Sequence, residues 1–155
     1  MKVKIKKLHP DAIIPKYATD GSGCFDIHAI QMERSISWIR CLYRGDSEIF
    51  GTGLAFEIPE DHVLLIYGRS GQAFKHGTRL ANCVAVIDSD YRGEVMIKLT
   101  REYGSATDPL VVRNGDRIAQ GMIVPIPRIE FEEVQELSET VRGDGGLGST
   151  GSSVL

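Results

Sequence analysis

Turns recur so often in this chain that no long regular element fits between them. Gly45-Asp46, Pro59-Glu60-Asp61, Tyr91-Arg92-Gly93 and Asn114-Gly115-Asp116 each combine residues that favour tight turns. Between such signals lie short apolar stretches at 24–29, 36–42, 49–58, 63–67, 80–87, 95–99, 110–112 and 118–124. The clearest alternation puts Val95, Ile97 and Leu99 on one face and Met96 and Lys98 on the other, the period of a half-buried strand. Val3, Ile5 and Leu8, separated by lysines, read as an edge strand. Pro10 and Pro15 keep residues 9–19 out of a helix interior. Many short strands at this spacing predict a sandwich, barrel or jelly roll. One helix is expected, over 71–75, with Ser70 as its cap and Gly77 ending it in left-handed geometry.

At 155 residues the chain is expected to form one β-domain over 1–139, followed by a tail over 140–155. A net charge of −3 supplies no basic field of the kind that draws nucleic acid. No apolar run reaches the ~18 residues of a membrane span, and residues 1–8 lack the apolar core of a secretory signal. The expectation is therefore a cytoplasmic protein with no membrane and no nucleic-acid partner. Cys24, Cys41 and Cys83 are odd in number and form no C-x-x-C pair, so neither a disulfide framework nor a structural zinc site is expected.

Three places carry residues suited to chemistry. Tyr67-Gly68-Arg69-Ser70-Gly71 follows an apolar strand and opens the expected helix, where Arg69, Ser70 and backbone amides could meet an anion. Read alone, it is equally an ordinary capped helix beside an arginine. In residues 82–93 a strand ends at Asp88, a turn follows, and the next strand is expected to start at Glu94, making a hairpin pocket for a flat polar ligand. Asp88 is either a turn residue or a functional carboxylate able to orient a water. The tail carries Arg142, five glycines between 143 and 151, and the hydroxyls of Ser149 and Thr150. That composition describes either a disordered end or a phosphate loop. It is not a Walker A loop, because no Gly-Lys-Ser/Thr closes it.

Five stretches in order resemble the five motifs of the homotrimeric dUTPases, the deoxyuridine triphosphate nucleotidohydrolases, in a bacterial or phage-like form. They are Ser22-Gly23-Cys24-Phe25-Asp26-Ile27, Gly68-Arg69-Ser70-Gly71, residues 82–93, Gly115-Asp116-Arg117-Ile118-Ala119-Gln120 and residues 142–151. The resemblance implies an all-β, jelly-roll (β-clip-like) subunit of a homotrimer with one short helix and a flexible Gly-rich tail. It implies active sites at subunit junctions and Mg²⁺-dependent hydrolysis of dUTP to dUMP and pyrophosphate. In the host cytoplasm, a phage-encoded member would do the same work.

Carried over residue by residue, the resemblance makes Asp88 the activator of the water that attacks the α-phosphate. Tyr91 would pack under the deoxyribose, and Asn82 with the backbone around Val86 and Ile87 would read the uracil. Arg69, Ser70, Gly71 and Gln120 would contact the phosphates. Arg142, Leu147, Gly148, Ser149 and Thr150 would close over the substrate from the tail, and Asp26 would hold Mg²⁺ through water.

The sequence departs from the family pattern at four positions. Cys24 stands for glycine, Gly68 for proline, Ala85 for glycine and Leu147 for the tail's aromatic residue. None removes a reacting group. Two other readings share the fold. A dCTP deaminase needs a glutamate on the strand after residues 82–93, where this chain has Lys98. A non-enzymatic dUTP-sensing or interaction module would use the segment 31–47 as its partner surface.

Overall fold

A computed structural model describes residues 1–30, 39–104 and 108–146. In chain order these form β1 (Lys4–Lys7), β2 (Phe25–His28), β3 (Ile39–Leu42), β4 (Ser47–Gly51), β5 (Leu54–Glu57) and β6 (His62–Tyr67). Then come α1 (Ser70–His76), β7 (Thr78–Leu80), β8 (Val84–Ile87), β9 (Met96–Arg101), β10 (Leu110–Arg113) and β11 (Arg117–Pro125). A four-stranded sheet runs β2-β11-β6-β8 and a three-stranded one β4-β9-β7, with two-stranded ribbons β1-β5 and β10-β3. Every strand pairing is antiparallel. The two sheets and both ribbons send side chains into one core, among them Ile27, Leu42, Leu54, Phe56, Leu64, Ile66, Ile97, Leu99, Val112 and Ile118. This is an all-β, jelly-roll-like fold with one short helix: the turn spacing predicts its many short strands, and the family resemblance implies the jelly roll.

Three details differ from the sequence expectation. The apolar run 49–58 is two strands, because Gly53 breaks it with a left-handed φ of 65°. The run 80–87 also divides, into β7 and β8, which belong to different sheets. And β8 does not pair with β9 as a hairpin: β8 lies against β6, while β9 lies between β4 and β7. The physical reason lies at Val95. It is buried, its N–H donates to the Leu54 carbonyl at 2.9 Å, and its own carbonyl accepts from the Thr52 hydroxyl at 2.6 Å. Those bonds draw the chain into the second sheet before a ladder with β8 can form. The alternation of Val95, Ile97 and Leu99 holds as read, each 1% exposed, while Met96 is 51% exposed.

Gly53 is a tight point of this arrangement. A Cβ there would sit 2.8 Å from Ile30 Cδ1 and 2.9 Å from Ala12 Cβ, in a backbone region that side chains avoid. Gly53→Ala is therefore expected to cost about 1–3 kcal/mol through overpacking and backbone strain. A urea unfolding midpoint at fixed protein concentration, indistinguishable from wild type, would contradict it.

After β11 the chain continues through 126–146 without regular structure. Ile129, Phe131 and Leu137 on this arm are all more than two-thirds exposed.

Candidate active site

The first cluster of polar residues forms where β2, β11 and β6 meet the start of α1. Antiparallel register sets Gln120 of β11 opposite Asp26 of β2 on one side and Tyr67 of β6 on the other. Arg69 follows two residues after β6. Its Nε donates to Asp26 Oδ1 at 3.1 Å, while Arg117 Nη1 donates to Asp26 Oδ2 at 3.1 Å. Arg69 Nη1 and Gln72 Nε2 both donate to the Arg117 carbonyl, and Gln120 Nε2 donates to the Gly68 carbonyl at 3.0 Å. Asp26 is mostly buried beneath this pair of guanidiniums, so the cluster as a whole is positive and presents donors outward. Such a cluster suits a polyanion.

Two buried acceptor-capable atoms here have no protein partner, His28 Nδ1 and Gln72 Oε1. Burial holds the His28 pKa below the ordinary histidine range; the Asp26 carboxylate opposes that, and the Arg117 and Arg69 charges add to it. Arg117, His28 and Gln72 carry no role in the sequence reading. His28 shares the Asp26 face of β2 two residues on, whereas Arg117 arrives through the β2–β11 register and Gln72 from α1, and no spacing within one segment reports those two.

Ser70 does not cap the helix. Arg69 is the N-cap, with extended backbone and no side-chain cap bond, and Ser70 is the first helical residue. This is a correction with a simple cause: the Arg69 side chain is committed to Asp26, and the Ser70 side chain stays exposed. Gly71 faces open space, where a Cβ would meet nothing within 4 Å. Gly77 ends the helix in the left-handed conformation, as read from the sequence.

The second cluster forms where the chain passes from β7 to β8. Cys83 has a φ of 61°, and the Val84 N–H closes onto the Asn82 carbonyl at 2.6 Å. This is a γ-turn with a side chain in the disfavoured region, a strained link of the kind that recurs at binding sites. It lets the chain change sheets within three residues. The sheets splay here, and a cleft of about 230 Å³ opens between Asn82, Ala85, Met96 and Lys98. Among the described residues β8 is an edge strand, and its outer backbone groups have no strand partner there. Ala85 is buried in the wall of this cleft, Val86 projects outward at 59% exposed, and Ile87 is partly buried against the core.

The third group lies at the other end of β8. Asp88 is exposed and lines a wider cleft of about 650 Å³ with Glu60, Asp61, His62, Asp90 and Arg128. The Tyr91 N–H bonds the Asp88 carbonyl at 3.2 Å, and the Tyr91 hydroxyl donates to the Glu94 carbonyl at 3.0 Å. Its ring lies so close over Gly93 that a Cβ there would fall 2.4 Å from the hydroxyl oxygen. Glycine is what allows the ring to lie flat against the turn.

The fold thus assembles Asp26, Arg69, Ser70 and Gln120 in one place and Asn82, Asp88 and Tyr91 along another edge. It does not join the two within one chain. Ile87 pairs with Leu64, so Asp88 sits beside Val63. Arg69 is six residues further along, which at ~3.3 Å per residue is ~20 Å away. Arg142 stands apart again: its Nε donates to the Gly145 carbonyl of its own turn at 2.9 Å. Leu147, Gly148, Ser149 and Thr150 lie outside the described residues, as do residues 31–38 of the segment 31–47. Cys24, Cys41 and Cys83 are free thiols, and no described helix is long and apolar enough to cross a membrane.

Comparison with known proteins gives the family and the fold. The dUTPase family model matches residues 10–151. The deoxyuridine 5'-triphosphate nucleotidohydrolase of Nautilia profundicola is 44% identical over 97% of this chain and 99% of its own length. That of Helicobacter pylori is 38% identical over 99% of both. In fold, the chain is similar to a mutant dUTPase of Staphylococcus bacteriophage 80alpha solved with dUpNHpp, with a TM-score of 0.79 and 23% identity over 97% of this chain and 99% of that one. It is also similar to a mutant dUTPase of phage phi11 of S. aureus, described with a structural Mg(II) ion, with a TM-score of 0.75 and 21% identity over 90% of this chain and 100% of that one. A family model spanning most of the chain and near-full-length relatives well above 30% identity lead to one conclusion: this chain belongs to the dUTPase family.

Proposed function

We propose that the protein hydrolyses dUTP to dUMP and pyrophosphate as a homotrimer whose sites each combine residues of more than one subunit. The observation that carries this reading is that Asp88 and Arg69 stand at opposite ends of β6, a backbone separation of ~20 Å by strand rise. With backbones this far apart, one chain does not set both groups closely around the same phosphates. A neighbouring copy can, with its Arg69–Ser70–Gln120 cluster set against the Asn82–Tyr91 edge. The exposed Ile129, Phe131 and Leu137 of the 126–146 arm favour such an assembly, since apolar side chains in a row usually meet a partner.

In this site the uracil enters the cleft beside Asn82, where the unpaired edge of β8 around Val86 and Ile87 offers backbone donors and acceptors. Tyr91, held flat on Gly93, packs against the deoxyribose and leaves no room for a 2′-hydroxyl. Asp88 takes the proton of the attacking water at the α-phosphate. Arg69, Ser70, Gly71 and Gln120 hold the phosphate chain, and the tail over 140–155 closes the site with Arg142, Leu147, Gly148, Ser149 and Thr150. Positioning and charge neutralisation do most of the work in phosphoryl chemistry, which is what these residue types supply.

The residues present fit Mg²⁺ in one manner only. Among the described residues no three His, Cys, Asp or Glu side chains gather to cage a metal. Asp26 keeps a free lone pair on each oxygen beyond its arginine bonds, enough to hold a metal-bound water. A Mg²⁺ that arrives on the triphosphate with most of its waters suits that donor set, and it would neutralise charge along the phosphates.

Lys98 in the cleft wall, where a deaminase needs a glutamate, favours hydrolysis over deamination. The test is pyrophosphate release from dUTP, dTTP, dCTP and UTP with Mg²⁺. Release confined to dUTP is expected; equal rates on dUTP and UTP would sink the reading.

A further inference from the structure

Helix α1 carries Ser70 and Gly71 and follows Arg69, yet none of its residues is buried. Seven residues are too few for a helix to hold itself in water. Its place is therefore set at its two ends. Near the start, Gln72 Nε2 donates to the Arg117 carbonyl at 3.2 Å. At the far end, the Gly77 N–H bonds back into the last turn, and the Glu102 N–H donates to the Gly77 carbonyl at 2.9 Å. The remaining attachment comes from Arg101. Its side chain is 0% exposed, its Nε donates to the His76 carbonyl at 3.1 Å, and its Nη1 donates to the Leu42 carbonyl of β3 at 2.7 Å.

Burying a guanidinium is costly, so its placement calls for a return. Here the planar fork bridges two carbonyls on different elements, which the single ammonium of lysine does less well. Its charge also sits at the carboxyl end of α1, where the helix dipole favours a cation. The Arg101 backbone is fixed as well: its N–H donates to the Asp46 carbonyl and its carbonyl accepts from the Gly45 N–H, both within 2.9 Å. Arg101 thus joins α1, β3 and the turn after β3 at a rigid point of β9.

We propose that Arg101 is a positioning residue for the phosphate end of the active site, acting through α1 on Ser70 and Arg69 and touching no substrate itself. This rests on the assignment of Arg69 and Ser70 to the phosphate chain. Loosening the far end of an unburied helix lets its first turn drift, and the groups that meet the outer phosphates drift with it. The cleft beside Asn82 is lined by Leu80 at the end of β7, Ala81, Ala85 of β8 and Met96, Ile97 and Lys98 of β9, none of them on α1, and it stays in place through the β7–β9 and β6–β8 ladders.

The experiment compares wild type, Arg101→Met and Arg101→Lys as full assemblies, measuring the dissociation constants of dUMP and of the imido analogue of dUTP. Arg101→Met should weaken the analogue about tenfold or more while leaving dUMP nearly unchanged, with Arg101→Lys between. A general loss of packing would weaken both ligands alike, and an analogue-to-dUMP ratio equal to wild type in a folded variant overturns the proposal. Hydrogen exchange on the wild-type protein decides the matter even where Arg101→Met does not fold. The amides of 74–78 should be protected to a degree close to β9, and exchange at the rate of an unstructured peptide overturns the proposal. Wild-type protein that fails to hydrolyse dUTP would sink the functional reading, while the exchange measurement would still report whether the far end of α1 is held.

Discussion

Asp88→Asn is expected to bind dUTP close to normally and to hydrolyse it about 10²–10⁴-fold more slowly, the usual contribution of a positioned general base. The amide preserves the shape of the side chain and loses the capacity to take a proton from water. Asp88 is exposed at the end of β8, and no side chain among the described hydrogen bonds competes for its carboxylate. The substitution should therefore leave the unfolding free energy within about ±0.5 kcal/mol of wild type, as for other surface changes. Single-turnover hydrolysis separates the chemical step from binding and release. A rate within a few-fold of wild type would remove Asp88 from the mechanism.

Mixed assemblies should show the second large effect. Asp88→Asn and Arg69→Gln are each expected to be nearly inactive as pure proteins. Unfolded together in equal amounts and refolded, they should recover about a quarter of the wild-type activity per site. The reasoning is combinatorial: each junction needs an intact Asp88 from one chain and an intact Arg69 from its neighbour, and each is present half the time. The ~20 Å between the two residues along β6 is the structural basis of the expectation. Activity that stays at the sum of the two parents, with mixed trimers confirmed by native mass spectrometry, would place both residues in one chain's site. The dUTPase assay on wild type would be untouched by that result.

Much of the fold is legible in the sequence because it is a matter of local pattern. Turn residues at short intervals confine the chain to strands, and the alternation from Val95 to Leu99 sets a buried and an exposed face. Gly77 announces the helix end because only a left-handed residue closes it that way. The order of the five motifs is likewise a property of the sequence alone, and it carries the family.

The tertiary structure decided which segments are neighbours. Gly53 and Cys83 split runs that read as continuous strands, since a left-handed backbone position changes direction without changing hydrophobicity. Residues 84–87 and 96–101 look like the two arms of a hairpin, but Val95 bonds to Leu54 and Thr52 and carries β9 into the other sheet. Ser70 looks like a cap, but the Arg69 side chain is held by Asp26, forty-three residues away, and the helix begins differently. Arg101 gave no functional signal and Arg117 none beyond its place in the fourth motif, because their partners Asp26, His76 and Leu42 are distant in sequence. The sequence by itself determined the strand-rich class, the family and the inventory of reactive groups, all of which depend on local residue pattern. Which groups stand together, and that Asp88 and Arg69 stand at opposite ends of β6, was decided only by long-range pairing of strands, an energy that no short window of residues contains.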